Sequence, residues 1–114
     1  MTTIYHNPRC SKSRQTLALL EENGIQADIR LYQKDILSKV ELELLIAQLK
    51  IQPIELMRTK ETAYKELGLN KDSSDEERIQ AMLNNPSLIE RPIVVHNNQA
   101  KLGRPPENVL ELFG

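Results

Sequence analysis

At 114 residues the chain has the length of one domain, and a domain of that size buries a core without disulfide or metal staples. Lys and Arg total 15 against 16 Asp and Glu, a formal net charge of −1, which excludes a global pull toward nucleic acid or an anionic membrane. No apolar run has the length of a signal-peptide core or a bilayer span, so a single cytoplasmic domain over residues 1–114 is expected.

Thr2-Thr3-Ile4-Tyr5-His6 is rich in β-formers and reads as a strand, broken by Asn7-Pro8. A helix follows from Cys10 or Ser11 to about Asn23, with Leu17, Leu20 and Thr16 on one face and Gly24 as a left-handed stop. Ala27 to Tyr32 alternates and reads as a second strand, and a β-α-β order implies a parallel pair. Ser38-x-x-Glu41 is a capping box for a helix over about Lys39–Lys50, whose apolar set is Leu42, Leu45, Ile46 and Leu49. Pro53 starts a short helix toward Met57, and Glu61 to Leu67 reads as another, stopped by Gly68. Ser74-x-x-Glu77 is a second capping box, for a helix to about Asn85. Its first turn, Asp75-Glu76-Glu77-Arg78, reads as a solvated face. Ile93 to His96 is a strand, Asn97-Asn98 a hairpin turn with His96 exposed beside it, and Ala100 to Leu102 returns antiparallel. Pro105 or Pro106 begins a final helix carrying Val109, Leu110 and Phe113. The resulting fold class is α/β: a mixed four-stranded sheet flanked by helices in the thioredoxin-like order, with a helical insertion between the β-α-β and β-β-α parts.

Cys10 is the only cysteine, so no internal disulfide can form, and two histidines beside it are a poor inventory for a metal site. Composition alone favours a small buried hydrophobe at this position. Its position favours chemistry: Cys10 lies between Asn7-Pro8 and a helix start, where unpaired N–H groups and the helix dipole stabilise an anion. A free thiol, pKa about 8.5, is mostly protonated at neutral pH, and such a setting with basic neighbours lowers it. Arg9, Lys12 and Arg14 supply positive charge nearby, and His6 stands four residues back, in reach of the sulfur across the loop. Ser13 completes Cys10-x-x-Ser13, a one-sulfur version of the redox Cys-x-x-Cys pattern, so an oxidised adduct on Cys10 needs an outside thiol to clear it. The same N–H groups can bind a tetrahedral oxyanion, and Arg58, Arg91 and Arg104 are candidates for its further positive charge. Any one of these arginines taken alone reads as a surface charge. Arg91 and Arg104 each directly precede proline, and Arg91-Pro92 leads into a strand.

Four ordered segments carry a family resemblance: Ile4–Leu17 with its Asn-Pro-Arg-Cys-Ser, Leu56-Met57-Arg58 followed by Tyr64–Leu69, Ile89–Val95, and Leu102–Glu107 with Val109-Leu110. Together they resemble the glutaredoxin-type arsenate reductase family over nearly the whole chain. The resemblance implies Cys10 as the nucleophile and His6 as the residue lowering its pKa. It implies Arg58, Arg91 and Arg104 as the arginines of the oxyanion, Ser13 near the sulfur and Pro92 as a cis-proline. It also implies arsenate as substrate, glutathione as co-substrate with no bound cofactor, glutaredoxin as partner, and a monomer.

Two other readings remain open at this point: a related monothiol enzyme that deglutathionylates another substrate, and a redox-sensing transcription regulator. The second typically switches through Cys-x-x-Cys, against which Ser13 stands. A low-molecular-weight phosphatase loop needs Cys-x5-Arg, and position 16 is Thr.

Overall fold

The computed structural model describes all residues, 1–114. Four strands, β1 (Thr2–Tyr5), β2 (Asp28–Arg30), β3 (Ile93–His96) and β4 (Gln99–Leu102), form one sheet in the order β2-β1-β3-β4. β1 and β2 run parallel, as a connection through helix α1 (Ser11–Glu22) requires, and the β1–β3 and β3–β4 pairs are antiparallel. Gly24, at φ +71°, ends α1 in the left-handed region that a side chain disfavours. Asn97 and Asn98 both have positive φ, the combination of the two-residue turn that matches strand twist. The sheet is the mixed, thioredoxin-like arrangement expected from the element order.

The chain divides into two compact units, Met1–Asp35 with Arg91–Gly114, and Ile36–Glu90. In the first, Ile4 and Val94 are direct cross-strand partners and are fully buried with Leu20 of α1 and Val109. Leu17, Ile25, Ala27, Leu112 and Phe113 pack around that cluster. Each large aliphatic side chain so buried contributes about 1.5–3 kcal/mol. The second unit holds α2 (Lys39–Leu49), α3 (Pro53–Leu56), α4 (Thr62–Glu66), α5 (Asp75–Asn84) and a 3-10 turn at Pro86–Leu88. Both capping boxes close reciprocally: Ser38 and Ser74 accept from the N–H of Glu41 and Glu77, whose carboxylates accept from the serine N–H groups. No helix is long and apolar enough to cross a membrane.

Several elements depart from the sequence expectation for physical reasons. β2 has three residues rather than six; it is a sheet edge, where Ile29 is 51% exposed, and the buried Tyr32 follows the strand instead of belonging to it. The last helix, Pro106–Leu112, is 3-10. Pro106, Val109 and Leu112 recur every three residues, the spacing that eclipses side chains in that helix. His96 is not simply exposed: its Nδ1 lies 2.8 Å from Thr2 Oγ1, and its ring meets Phe113 at a centroid distance of 4.5 Å. Arg78 is not part of a solvated face. It is 3% exposed, sharing the buried side of α5 with Ile79, Ala81 and Met82. Its guanidinium donates to Tyr64 Oη at 3.1 Å and to the Asn70 carbonyl at 2.7 Å, with Met57 Sδ at 3.9 Å. A long side chain bearing a charge reads as surface in sequence; here it ties α5 to α4 and to the loop after it. Replacing Arg78 with Met leaves a buried hydroxyl and a carbonyl without their donor and is expected to cost about 2 kcal/mol or more, read from urea denaturation midpoints.

Candidate active site

Sheet register decides what meets at one end of the first unit. Tyr5, the last residue of β1, pairs with Arg30 at the end of β2 and with Ile93 at the start of β3, and Ile93 pairs with Leu102 at the end of β4. The loop leaving β1 (His6–Cys10), the residues entering β3 (Arg91-Pro92) and those leaving β4 (Gly103-Arg104) therefore converge. Chemistry-bearing residues far apart in sequence are gathered by strand pairing alone.

Cys10 is the N-cap of α1, in extended backbone, and 9% exposed. Its N–H donates to the Asn7 carbonyl at 3.0 Å, and the Asn7 side chain accepts from Arg9 N–H at 3.0 Å, so the loop is folded on itself before the helix begins. No side chain caps this helix end; the sulfur occupies the place a cap would take. Burial pushes the Cys10 thiol up. The Ser13 N–H, the Arg91 guanidinium through a hydrogen bond and its charge, and the Lys12 N–H together outweigh burial and hold it below the ordinary thiol value. The thiolate form is thereby favoured at the helix start.

The Ser13 hydroxyl belongs to a fully buried residue and is engaged: it accepts from Asn7 N–H at 3.0 Å and lies 2.7 Å from His6 Nδ1. With one proton to give, the hydroxyl can donate to a neutral His6 while accepting from Asn7. Burial first, then the Arg14 charge, lower the His6 pKa from its ordinary 6.5, which favours that neutral ring. Arg14 itself donates to the Pro8 carbonyl at 2.8 Å. Arg91 and Arg104 are joined, Arg104 Nε donating to the Arg91 carbonyl at 3.0 Å. Arg91 Nε is buried without a hydrogen-bond partner. Arg91-Pro92 and Arg104-Pro105 are both cis. Arg58 belongs to the second unit, where its N–H donates to the Leu88 carbonyl at 2.7 Å and its guanidinium lies 3.6 Å from the carboxylates of Glu61 and Glu90.

Residues 5–112 match the ArsC family. The chain belongs to that family. It is 51% identical over 112 residues to an arsenate reductase of Haemophilus influenzae, covering 96% of this chain and 97% of the relative. It is 54% identical over 113 residues to an uncharacterised Escherichia coli protein, YfgD, covering 97% and 95%. Among solved structures, an arsenate reductase from Vibrio cholerae superposes with a TM-score of 0.93 at 51% identity, covering 97% of this chain and 96% of the other.

In this ArsC protein the structure brings Cys10, His6, Ser13, Arg91, Pro92 and Arg104 into one unit. His6 Nδ1 lies against the Ser13 hydroxyl, and His6 is not among the groups that lower the Cys10 pKa. Ser13 offers the sulfur its backbone N–H, since its hydroxyl is committed to His6 and Asn7.

One residue at the site carried no assigned role in the sequence reading. A Cβ on Gly103 would stand 2.5 Å from Thr16 Oγ1 and 2.7 Å from Pro92 Cγ, while its N–H donates to the Pro92 carbonyl at 2.9 Å. Thr16 is fully buried and its hydroxyl is bonded to the Lys12 carbonyl at 2.8 Å, so it cannot easily yield. Gly103 thus lets the end of β4 press against both α1 and Pro92, next to Arg91. Its glycine directly before Arg104-Pro105 was the available signal.

Gly103→Ala is expected to destabilise the fold by about 1–3 kcal/mol through that overlap, measured by thermal or urea unfolding. His6 gives a pH dependence with a definite sign. Its folded pKa lies below 6.5, so the unfolded chain binds the proton more readily; the stability this group contributes is full above 6.5 and is lost as pH falls below it. Native protein is expected to lose more stability than His6→Gln between about pH 7.5 and about pH 5.5, read as the change in denaturation midpoint.

Proposed function

We propose that this protein reduces arsenate to arsenite through a Cys10–arsenic adduct, using glutathione and glutaredoxin as external thiols. The observation that carries the reading is the Cys10 sulfur at a helix start, favoured as thiolate by two backbone N–H groups and the Arg91 guanidinium, with no second cysteine to resolve it. The arsenate reductases of 51% identity support the same substrate. Arg91 suits an oxyanion because its planar fork can meet two oxygens at once, and its buried, unpartnered Nε leaves donor capacity for a ligand. Arg104, tied to the Arg91 carbonyl, adds a second cation beside it.

The thiolate attacks arsenic, a sulfur–arsenic bond forms, and an arsenate oxygen leaves as water or hydroxide. Glutathione adds its sulfur to the same arsenic with loss of a second water. A glutaredoxin thiolate then takes the glutathione sulfur: the new sulfur–sulfur bond holds the oxidised pair, and the two electrons of the broken arsenic–sulfur bond stay on arsenic. Hydrolysis releases arsenite and restores Cys10. No bound cofactor is required.

The deciding assay is arsenate-dependent NADPH oxidation coupled through glutathione, glutaredoxin and glutathione reductase. Turnover in the native protein that vanishes in Cys10→Ser is the expected result. Arg91→Lys keeps the charge but removes the fork, and is expected to lower turnover about tenfold or more while leaving the unfolding midpoint nearly unchanged. No arsenate-dependent turnover by folded protein with a titratable Cys10 would overturn the reading in favour of a thiol enzyme acting on glutathionylated substrates.

A further inference from the structure

Beside the Cys10 loop the first unit has a concavity of about 410 Å³ whose lining contains no carboxylate. One wall is His6, Asn7, Pro8 and Arg9, the four residues that run into Cys10; the other is the segment after β2, with Leu31, Gln33 and Lys34. The two walls lie together because the ends of β1 and β2 are paired, Tyr5 with Arg30, and because His6 N–H donates to the Arg30 carbonyl at 2.9 Å.

The cations of this groove are uncommitted. Neither Arg9 nor Lys34 has a carboxylate partner; the nearby Asp35 is taken by Arg30, at 2.8 Å. Arg30 and Asp35 therefore neutralise each other at the margin, while the groove itself keeps two exposed positive heads over an apolar surface of Pro8 and Leu31. Gln33 adds an amide able both to donate and to accept. Two unpaired cations, an amide and an apolar patch form a recognition surface for a small flexible molecule with more than one carboxylate.

Position supplies the rest. Arg9 and Cys10 are consecutive, so their Cα atoms are about 3.8 Å apart, and an extended tripeptide spans roughly 10 Å. A thiol peptide held in the groove by its carboxylates therefore lies within its own length of the Cys10 backbone. The proposed chemistry needs such a molecule, since the chain has a single cysteine.

We propose that this groove is the docking site of the low-molecular-weight thiol co-substrate, a carboxylate-bearing thiol peptide of the glutathione class, with Arg9 and Lys34 as its carboxylate anchors. The assignment rests on the reading that Cys10 is resolved by an external thiol. The Arg9 charge that the sequence sets beside the sulfur is not among the groups that lower the Cys10 pKa, and neither is Lys34; neutralising both leaves the Ser13, Lys12 and Arg91 donors in place.

The test needs no arsenic. Cys10 thiolate attacks a small disulfide, the Cys10–sulfur bond forms as the reagent's sulfur–sulfur bond breaks, and one thiolate leaves; the rate is followed by mass spectrometry. Three reagents are compared: oxidised glutathione, neutral hydroxyethyl disulfide and cationic cystamine. In the double variant Arg9→Gln with Lys34→Gln, the rate with oxidised glutathione is expected to fall about tenfold, hydroxyethyl disulfide to be nearly unchanged and cystamine not to slow. A matched neutralisation, Lys60→Gln with Lys71→Gln, at two exposed residues outside the groove, is expected to leave the glutathione rate within about twofold. Equal slowing with the neutral reagent, or an equal loss in the Lys60/Lys71 control, would overturn the groove assignment. Failure of arsenate turnover in native protein with this pattern intact would overturn the arsenate reading alone.

Discussion

The candidate site depends on one electrostatic balance, at the first turn of α1. Taking a sulfur out of water disfavours its charged form. Two backbone N–H groups of the helix start and the Arg91 guanidinium reverse that preference. A helix leaves those N–H groups without partners of its own, and no side-chain oxygen caps them here. Cys10 occupies the capping place and gains from the helix what an Asp or Ser would otherwise take.

The remaining parts of the first unit hold that turn in place. Buried Ser13 fastens it to His6 and Asn7, and Asn7 in turn fastens Cys10 and Arg9. The antiparallel pairing of β1 with β3 delivers Arg91, and β4 returns to deliver Arg104 onto the Arg91 carbonyl. Gly103 permits the close approach that keeps Pro92 against Thr16. These contacts are chiefly neutral hydrogen bonds and packing, whose geometry is less sensitive to salt than ion pairs would be. The second unit is organised around a different cation, Arg78, buried on neutral acceptors.

Much of this was legible in the sequence because local chemistry wrote it there. Capping boxes at Ser38 and Ser74, the Asn97-Asn98 turn and the stops at Gly24 and Gly68 are short-range signals, and each element they bound is present. The setting of Cys10 was legible for the same reason: a helix start is a local feature. What the sequence hid depends on partners far along the chain. That the Ser13 hydroxyl is bonded to His6 and Asn7 is set by the tertiary fold and has no local signal. Arg78 looked solvated because Tyr64 and Asn70, its acceptors, are placed by the tertiary fold. β2 is shorter than the alternation of Ala27–Tyr32 predicts, because nothing in that stretch says that it lies at an edge. The period of three in the last helix was readable, but short helical segments with prolines at their start do not announce their type. Arg58, a candidate by residue type and by resemblance alike, lies in the second unit among its own carboxylates, Glu61 and Glu90.

The most direct measurement of the central claim is the Cys10 thiolate titration, followed by ultraviolet absorbance in native protein and in Arg91→Gln. The account predicts a native midpoint below the ordinary thiol value and a higher midpoint in the variant, with folding intact in both. A native midpoint at or above the ordinary value, or a variant midpoint equal to the native one, would contradict it.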